Sequence, residues 1–237
     1  MDNAHFFTLT DSAARQAILD IGRRMYEKGF VASNDGNISL RAGPDTIWAT
    51  PAGVSKGYMK EEDLVKLSLS GKVLEGSRPA SSEIKMHLRV YTENPHAGGA
   101  VHAHPPVSTA FAIAGVDLDF AFYPEAIVNL GVVRVAPYAR PGSQEVPDSI
   151  APYCREYNAV LLANHGPLAW GRDVYEAFYR LEALENYALI AMYLRNFFGR
   201  ANELTEAQLA DIIRLREDLG IATGGIPRRM DPWLTGK

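Results

Sequence analysis

Between residues 10 and 29 the apolar side chains Ala14, Ala17, Ile18, Ile21 and Met25 return at helical spacing, which predicts an amphipathic helix. Thr10 or Asp11 can cap its start, and Gly29 is placed to stop it. A tight polar loop, Ser33-Asn34-Asp35-Gly36-Asn37, leads into Ile38-Ser39-Leu40-Arg41, which alternates like a strand. Thr46-Ile47-Trp48-Ala49-Thr50 reads as its hairpin partner across a turn at Gly43-Pro44. Residues 64–69 and the segment after Gly71 predict a second hairpin, and residues 82–93 carry Ile84, Leu88 and Tyr91 on one helical stripe. Val101 to His104 predicts a short strand ended by two prolines, residues 107–114 a helix, and residues 132–135 renewed extended structure. Ala159-Val160-Leu161-Leu162-Ala163 is the most apolar strand candidate. Long helices are expected over residues 173–198 and 205–219, and the Gly- and Pro-containing tail to Lys237 has no period.

With 237 residues the chain can bury one substantial core, and no internal repeat or linker divides it. Hydrophobic residues at 47% and charged residues at 22% exclude a disordered chain and a fibrous one. No stretch of about eighteen apolar residues occurs and the first residues lack a basic, then apolar, leader, so no membrane partner is expected. A net charge of -4 argues against nucleic acid as a partner, although a local basic site for a small anion remains open. The single cysteine, Cys154, cannot close an intrachain disulfide and fits a reducing compartment, giving the cytoplasm as the expected location. It falls in helix-like sequence among bulky residues, and no Gly-x-Ser-x-Gly elbow is present, so covalent nucleophilic catalysis is set aside.

The candidate chemistry begins at Val101-His102-Ala103-His104-Pro105-Pro106. Histidines at i and i+2 of a strand share a face and can converge on one ion. A catalytic zinc site typically has three protein ligands and one open position. His165, in Asn164-His165-Gly166-Pro167, is the natural third ligand, because Gly and Pro turn the chain after a buried strand and expose the imidazole at a sheet end. His87 sits on the apolar stripe and reads as a hydrogen-bonded packing residue, while His5 and His96 lie in terminal or loop sequence. Strand alternation alone also produces His-x-His pairs, so the pair by itself does not decide. Arg78-Pro79-Ala80-Ser81-Ser82-Glu83 enters a helix where unpaired N–H groups and the positive dipole end can bind phosphate; ordinary capping by Ser81 or Ser82 is the competing reading. Two glycine loops, at Gly36 and Gly53, can bring backbone amides and Lys56 toward an anion, though neither is a Walker loop.

Taken in order, Gly36-Asn37, Thr50-Pro51-Ala52-Gly53, Pro79-Ala80-Ser81-Ser82-Glu83, His102-Ala103-His104 and Asn164-His165-Gly166 resemble the class II aldolase/adducin family over roughly residues 10 to 200. Within it the pattern is similar to the zinc aldolases of the L-fuculose phosphate type. The resemblance implies a single three-layer α/β/α domain spanning 1–237, with a central, mainly antiparallel sheet flanked by helices and a C-terminal helical segment and tail from about 203. It implies that His102, His104 and His165 hold Zn²⁺, or another divalent cation such as Mn²⁺ or Co²⁺. Glu83 would complete the resting coordination and then serve as acid/base. Gly36, Asn37, Ala52, Gly53, Ser81 and Ser82 would hold a substrate phosphate, Ala52 standing where a hydroxyl residue is usual. Tyr123 would move a proton at an aldehyde oxygen, with packing among Phe120 and Phe122 as its alternative role.

The implied reaction is cleavage of a phosphorylated ketose to dihydroxyacetone phosphate and an aldehyde, the metal carrying the charge of the enediolate. No lysine Schiff base is then needed. Sugar-phosphate epimerases, dehydratases and oxo-acid phosphate decarboxylases of the same family are the alternatives, and a non-catalytic adducin-like binding module is the alternative of another class. The resemblance also implies a homo-oligomer, a tetramer with sites at subunit interfaces; Tyr187, Tyr193 and the segment around Trp233 are candidates to contribute there, with helix packing or interface contact as their alternative role.

Overall fold

The computed structural model describes residues 9–227, so His5, Trp233 and most of the tail lie outside the described residues. Among the described residues eight strands form one sheet: β1 (Asn37–Arg41), β2 (Thr46–Ala49), β3 (Val65–Ser68), β4 (Val73–Glu75), β5 (Gly99–His102), β6 (Arg134–Ala136), β7 (Ala159–Leu162) and β8 (Gly166–Gly171). Their order is β4-β3-β2-β1-β5-β8-β7-β6, antiparallel throughout except for the β6–β7 pair. The helices are α1 (Asp11–Glu27), α2 (Ile84–Glu93), α3 (Pro106–Ala114), α4 (Pro124–Asn129), α5 (Glu145–Ile150), α6 (Val174–Tyr193) and α7 (Glu206–Asp218). This is the expected three-layer α/β/α class.

Period-2 alternation divides the core between the two faces of the sheet. On one face Ile38, Leu40, Val101, Leu161 and Ala169 pack under Ile18, Ile21 and Met25 of α1 and Phe178, Leu181 and Leu184 of α6. On the other, Ile47, Ala100, Val160, Leu162 and Trp170 pack under Ile84, Val90 and Tyr91 of α2 and Ile150 of α5. The caps follow the sequence: the Thr10 hydroxyl accepts from the Ala13 amide at the start of α1, and Thr205 forms a capping box with Gln208 at the start of α7.

Several expectations change. Strand β1 alternates as expected but is buried on both faces: Asn37, Ser39 and Arg41 face α2, where they find hydrogen-bonding partners. Gly166 and Pro167 do not make the turn after β7; they begin β8, and the reversal is made by residues 163–165, with Asn164 in the left-handed region at φ 59°. Helix α6 ends at Tyr193 and passes into a wider π-type turn over Leu194–Phe198. Cys154 is not helical; it follows a short 3-10 turn (Ala151–Tyr153), and burial pushes its thiol up to about 12, so it is inert. Helices α4 and α5 escape sequence reasoning because six residues are too short to show a period.

Candidate metal centre and anion cradle

The site lies where β1, β5, the β7–β8 turn and the start of α2 meet. In the ladder between β1 and β5, Asn37 lies opposite His102, and both side chains point to the α2 side of the sheet. His104 falls just beyond the end of β5 rather than inside a strand, yet the alternation persists and its ring returns to the same place as that of His102. The β7–β8 turn brings in His165. The three rings stand 4.7–5.0 Å apart centre to centre, and one nitrogen from each lies within 4.8 Å of the others.

The hydrogen bonds fix which nitrogens face inward. His102 Nδ1 donates to the Pro167 carbonyl at 2.8 Å, leaving the Nε2 lone pair directed at His104 Nε2, 3.1 Å away. His104 Nδ1 stands 3.3 Å from the Asp35 carboxylate, so its Nε2 is likewise free to bind. Burial pushes His102 down to about 3, so the ring is neutral at physiological pH and available as a ligand. Converging lone pairs beside a carboxylate are the donor set that a divalent cation fits.

Glu83 occupies the N-cap position of α2. One carboxylate oxygen is 3.1 Å from His165 Nε2; the other is 3.8 Å from His102 Nε2 and accepts from Asn37 Nδ2 at 2.7 Å. Burial works against the charge, but hydrogen bonds from His165 and Asn37 hold this carboxyl below the usual carboxylate range. Glu83 is therefore ionised. Neither serine caps α2 in the ordinary way: the Ser81 hydroxyl accepts from the Glu83 amide at 3.3 Å, and Ser82 is exposed with its hydroxyl toward Gly142.

A cavity of about 400 Å³ opens beside these groups, bounded by Asp35, Gly36, Gly53, Lys56, Ser81 and Ser82, with His104, His165 and Glu83 in the same wall. Gly36 is required twice over: its φ is 75°, and a Cβ there would lie 2.8 Å from the His102 carbonyl oxygen. Backbone pairing between Pro51 and Ala80 joins the two loops that flank the cavity. The Ala52 amide is spent on the Pro79 carbonyl at 2.9 Å, which removes it as a donor to an anion. Lys56 is 2% exposed; its ammonium donates to the Asn34 and Val54 carbonyls at 2.8 Å each, clamping both glycine loops. Burial pushes it down to about 8, opposed by the charges of Asp35 and Glu83.

Tyr123 is not among the cavity's lining residues. It precedes α4, its hydroxyl accepts from Asn186 Nδ2 at 3.2 Å, and it lines a separate cavity of about 490 Å³ with Lys28, Glu182 and Glu185. Within one chain it does not join the histidines. Sequence reasoning missed Asp35, although the loop containing it was singled out; its signal would have been a carboxylate one residue before the glycine that must approach β5. His87 is the hydrogen-bonded packing residue the sequence predicts, with partners that come from β1.

The chain belongs to the class II aldolase and adducin family: the model of the class II aldolase and adducin N-terminal domain matches residues 16–192. The chain is 34% identical over 189 residues to 3-oxo-tetronate 4-phosphate decarboxylase of Pectobacterium atrosepticum, covering 78% of this chain and 86% of that one. It is 31% identical over 172 residues to L-fuculose phosphate aldolase of Methanococcus maripaludis, covering 73% and 92%. Among solved structures, YgbL of Klebsiella pneumoniae superposes with a TM-score of 0.80 at 31% identity, covering 86% of this chain and 99% of that one. Among the described residues no helix is long and apolar enough to cross a membrane.

Proposed function

We propose that this chain is a metal-dependent lyase that breaks a carbon–carbon bond next to a carbonyl in a small phosphorylated compound, and that a phosphorylated 3-oxo acid is its substrate. The observation that carries this reading is the Glu83 carboxylate set between His102 and His165 at the wall of a cavity that glycine loops, serine hydroxyls and Lys56 also line. His102, His104 and His165 would hold the metal together with resting Glu83, and imidazole nitrogen favours Zn²⁺ over harder ions, with Mn²⁺ or Co²⁺ accepted by the same donors. When bound, the cation supplies a Lewis acid to the carbonyl oxygen on which negative charge develops.

The protein's own groups do the rest. Gly36, Gly53, Ser81 and Ser82 would hold the phosphate, with the Lys56 charge behind them. That orients the 3-oxo acid so that its carboxylate leaves as CO₂ and the electron pair of the broken bond flows to the ketone. Glu83 would relay a proton from water to the carbon that lost CO₂, the hydroxide combining with the CO₂ released to give bicarbonate. Decarboxylation thus needs one proton delivery, and of the two carboxylates at the cavity Asp35 is held against His104, which leaves Glu83 for it. The Asn37 carboxamide is committed to Glu83 and His87, so it acts on the carboxylate rather than on phosphate.

Aldol cleavage of a phosphorylated ketose is the second reading, favoured by the similarity to the fuculose phosphate enzyme. It needs a further proton carrier at the aldehyde oxygen, and Tyr123 would serve only from a neighbouring copy, since its hydroxyl opens onto a separate cavity. A cytoplasmic homotetramer built from a single domain over 1–237, with a C-terminal helical segment, is part of the same proposal. The test offers metal-loaded protein a phosphorylated 3-oxo acid and, in parallel, a panel of phosphorylated ketoses. CO₂ release supports the first reading and dihydroxyacetone phosphate release the second. Protein with stoichiometric metal and neither product would refute both. Glu83→Gln should fold, bind phosphate and lose turnover of whichever substrate is active.

A further inference from the structure

Beneath Glu83 lies a file of buried polar side chains that the proposed chemistry does not use directly. Asn37 donates from Nδ2 to Glu83 and accepts at Oδ1 from His87 Nε2, 2.6 Å away. Asn37, His87 and Ser39 are each 0–1% exposed. His87 Nδ1 meets the Ser39 hydroxyl at 2.7 Å, and Ser39 meets the Tyr91 hydroxyl at 2.7 Å. Strand β1 supplies Asn37 and Ser39 from alternate positions, while α2 supplies His87 and Tyr91 one turn apart, so the four interleave.

The donors in this file can be arranged in one consistent way. Asn37 Nδ2 donates to the Glu83 carboxylate, so the Asn37 amide turns its NH₂ toward Glu83 and its oxygen toward His87. That oxygen can only accept, so His87 carries its proton on Nε2. Nδ1 then accepts from Ser39, and Ser39, its one proton spent, accepts from Tyr91. Reversing the Asn37 amide would set its oxygen against the Glu83 carboxylate, two acceptors 2.7 Å apart.

We propose that His87 is a positioning residue: held at Nδ1 by the Ser39–Tyr91 hydroxyl pair, it fixes the direction of the Asn37 carboxamide and thereby the orientation of the Glu83 carboxylate toward His102 and His165. The proposal rests on the role of Glu83 given above for its consequence in turnover, but not for its geometry. The geometry makes a distinction between two polar substitutes of similar bulk. The amide nitrogen of Gln reaches the place of Nε2 and can still donate to Asn37, whereas the shorter Asn reaches only the place of Nδ1.

The experiment compares wild type, His87→Gln, His87→Asn and Tyr91→Phe by three measurements. Nitrogen-15 NMR of the metal-free protein reads the His87 tautomer and the Asn37 side-chain amide resonances. Chelator competition reads zinc affinity. Steady-state kinetics on the active substrate separate kcat from KM. The expected result is an Nε2–H tautomer in wild type and Asn37 amide resonances that move in His87→Asn and stay near wild type in His87→Gln. His87→Asn should lose about tenfold or more in zinc affinity or kcat, as removal of groups that orient metal ligands does, with KM within about twofold, and His87→Gln should recover most of the loss. Tyr91→Phe should fall between them. An Nδ1–H tautomer, or equal Asn37 resonances and zinc affinity in His87→Gln and His87→Asn, would overturn the proposal. Because the NMR and zinc arms need no substrate, they stand or fall separately from the assignment of the reaction. If His87→Asn does not fold, the wild-type tautomer and the zinc affinities of His87→Gln and Tyr91→Phe decide.

Discussion

The buried neutral His87 makes the stability of this protein depend on acid in a way that can be measured. Its ring is fully enclosed, and burial pushes it from the ordinary 6.5 down to about 4. Its folded value lies below its unfolded one, so the unfolded chain binds the extra proton between roughly pH 4 and 6.5. Stability is then fully present above pH 6.5 and is lost as pH falls toward 4. At 1.36 kcal/mol per unit the whole depression is worth roughly 3 kcal/mol, and roughly 2 kcal/mol of it is already lost at pH 5. The assay is urea unfolding of chelator-treated wild type and His87→Gln at pH 7.5 and pH 5, at one fixed protein concentration so that subunit association does not enter. Gln carries no titratable proton and removes this dependence while leaving all others in place. Wild type should therefore lose about 2 kcal/mol more than the variant on acidification. Parallel losses, differing by less than about 0.5 kcal/mol, would show that His87 does not remain neutral inside the fold.

Lys56→Met should weaken binding of inorganic phosphate and flatten its pH dependence, because the Lys56 charge present at pH 7 is lost as pH rises through about 8; isothermal titration from pH 7 to 9 reads both, and a variant with wild-type affinity and slope would remove Lys56 from the anion site. Asp35→Asn should leave the fold intact and cut zinc affinity by about 10-fold to 100-fold, since the carboxylate orients His104. Unchanged zinc affinity in a chelator competition would show that Asp35 does not orient that ligand. Gly36→Ala places a Cβ at positive φ against the His102 carbonyl and should destabilise by about 1–3 kcal/mol with loss of metal binding; a variant of wild-type thermal midpoint would contradict the packing of that loop.

What could be read from the sequence and what could not follows from the range of the interactions. The helix from Asp11 to Glu27 was legible because its apolar stripe and its Thr10 cap are local. The three-histidine set was foreseen from the alternation through His102 and His104, with His165 after a buried strand. Strand β8 was hidden because Gly166 and Pro167 read as a turn, yet β8 lies between β5 and β7, and its pairing with both overrides the local signal. The alternation of β1 was legible, but nothing in residues 37–41 announces that α2 covers its polar face. Lys56 shows the same limit: a lysine in a glycine loop suggests an exposed anion contact, and only the packing of two loops around it produces a buried clamp.

The burial of β1 also explains how the site stays rigid. A polar group taken out of water without a partner costs about 1–3 kcal/mol, so a strand presenting Asn37, Ser39 and Arg41 to a helix is tolerable only if that helix answers each of them. Helix α2 does so with His87 for Asn37, His87 and Tyr91 for Ser39, and the Tyr91 carbonyl for Arg41. A shift of α2 along β1 would leave these groups unpaired. The position of Glu83 at the head of α2 is therefore set against His102, across the ladder from Asn37, by hydrogen bonds specific to one register. Apolar packing of α2 on the sheet would tolerate small slides; this seam does not, and it ties the carboxylate and the imidazoles into one frame before any ligand arrives.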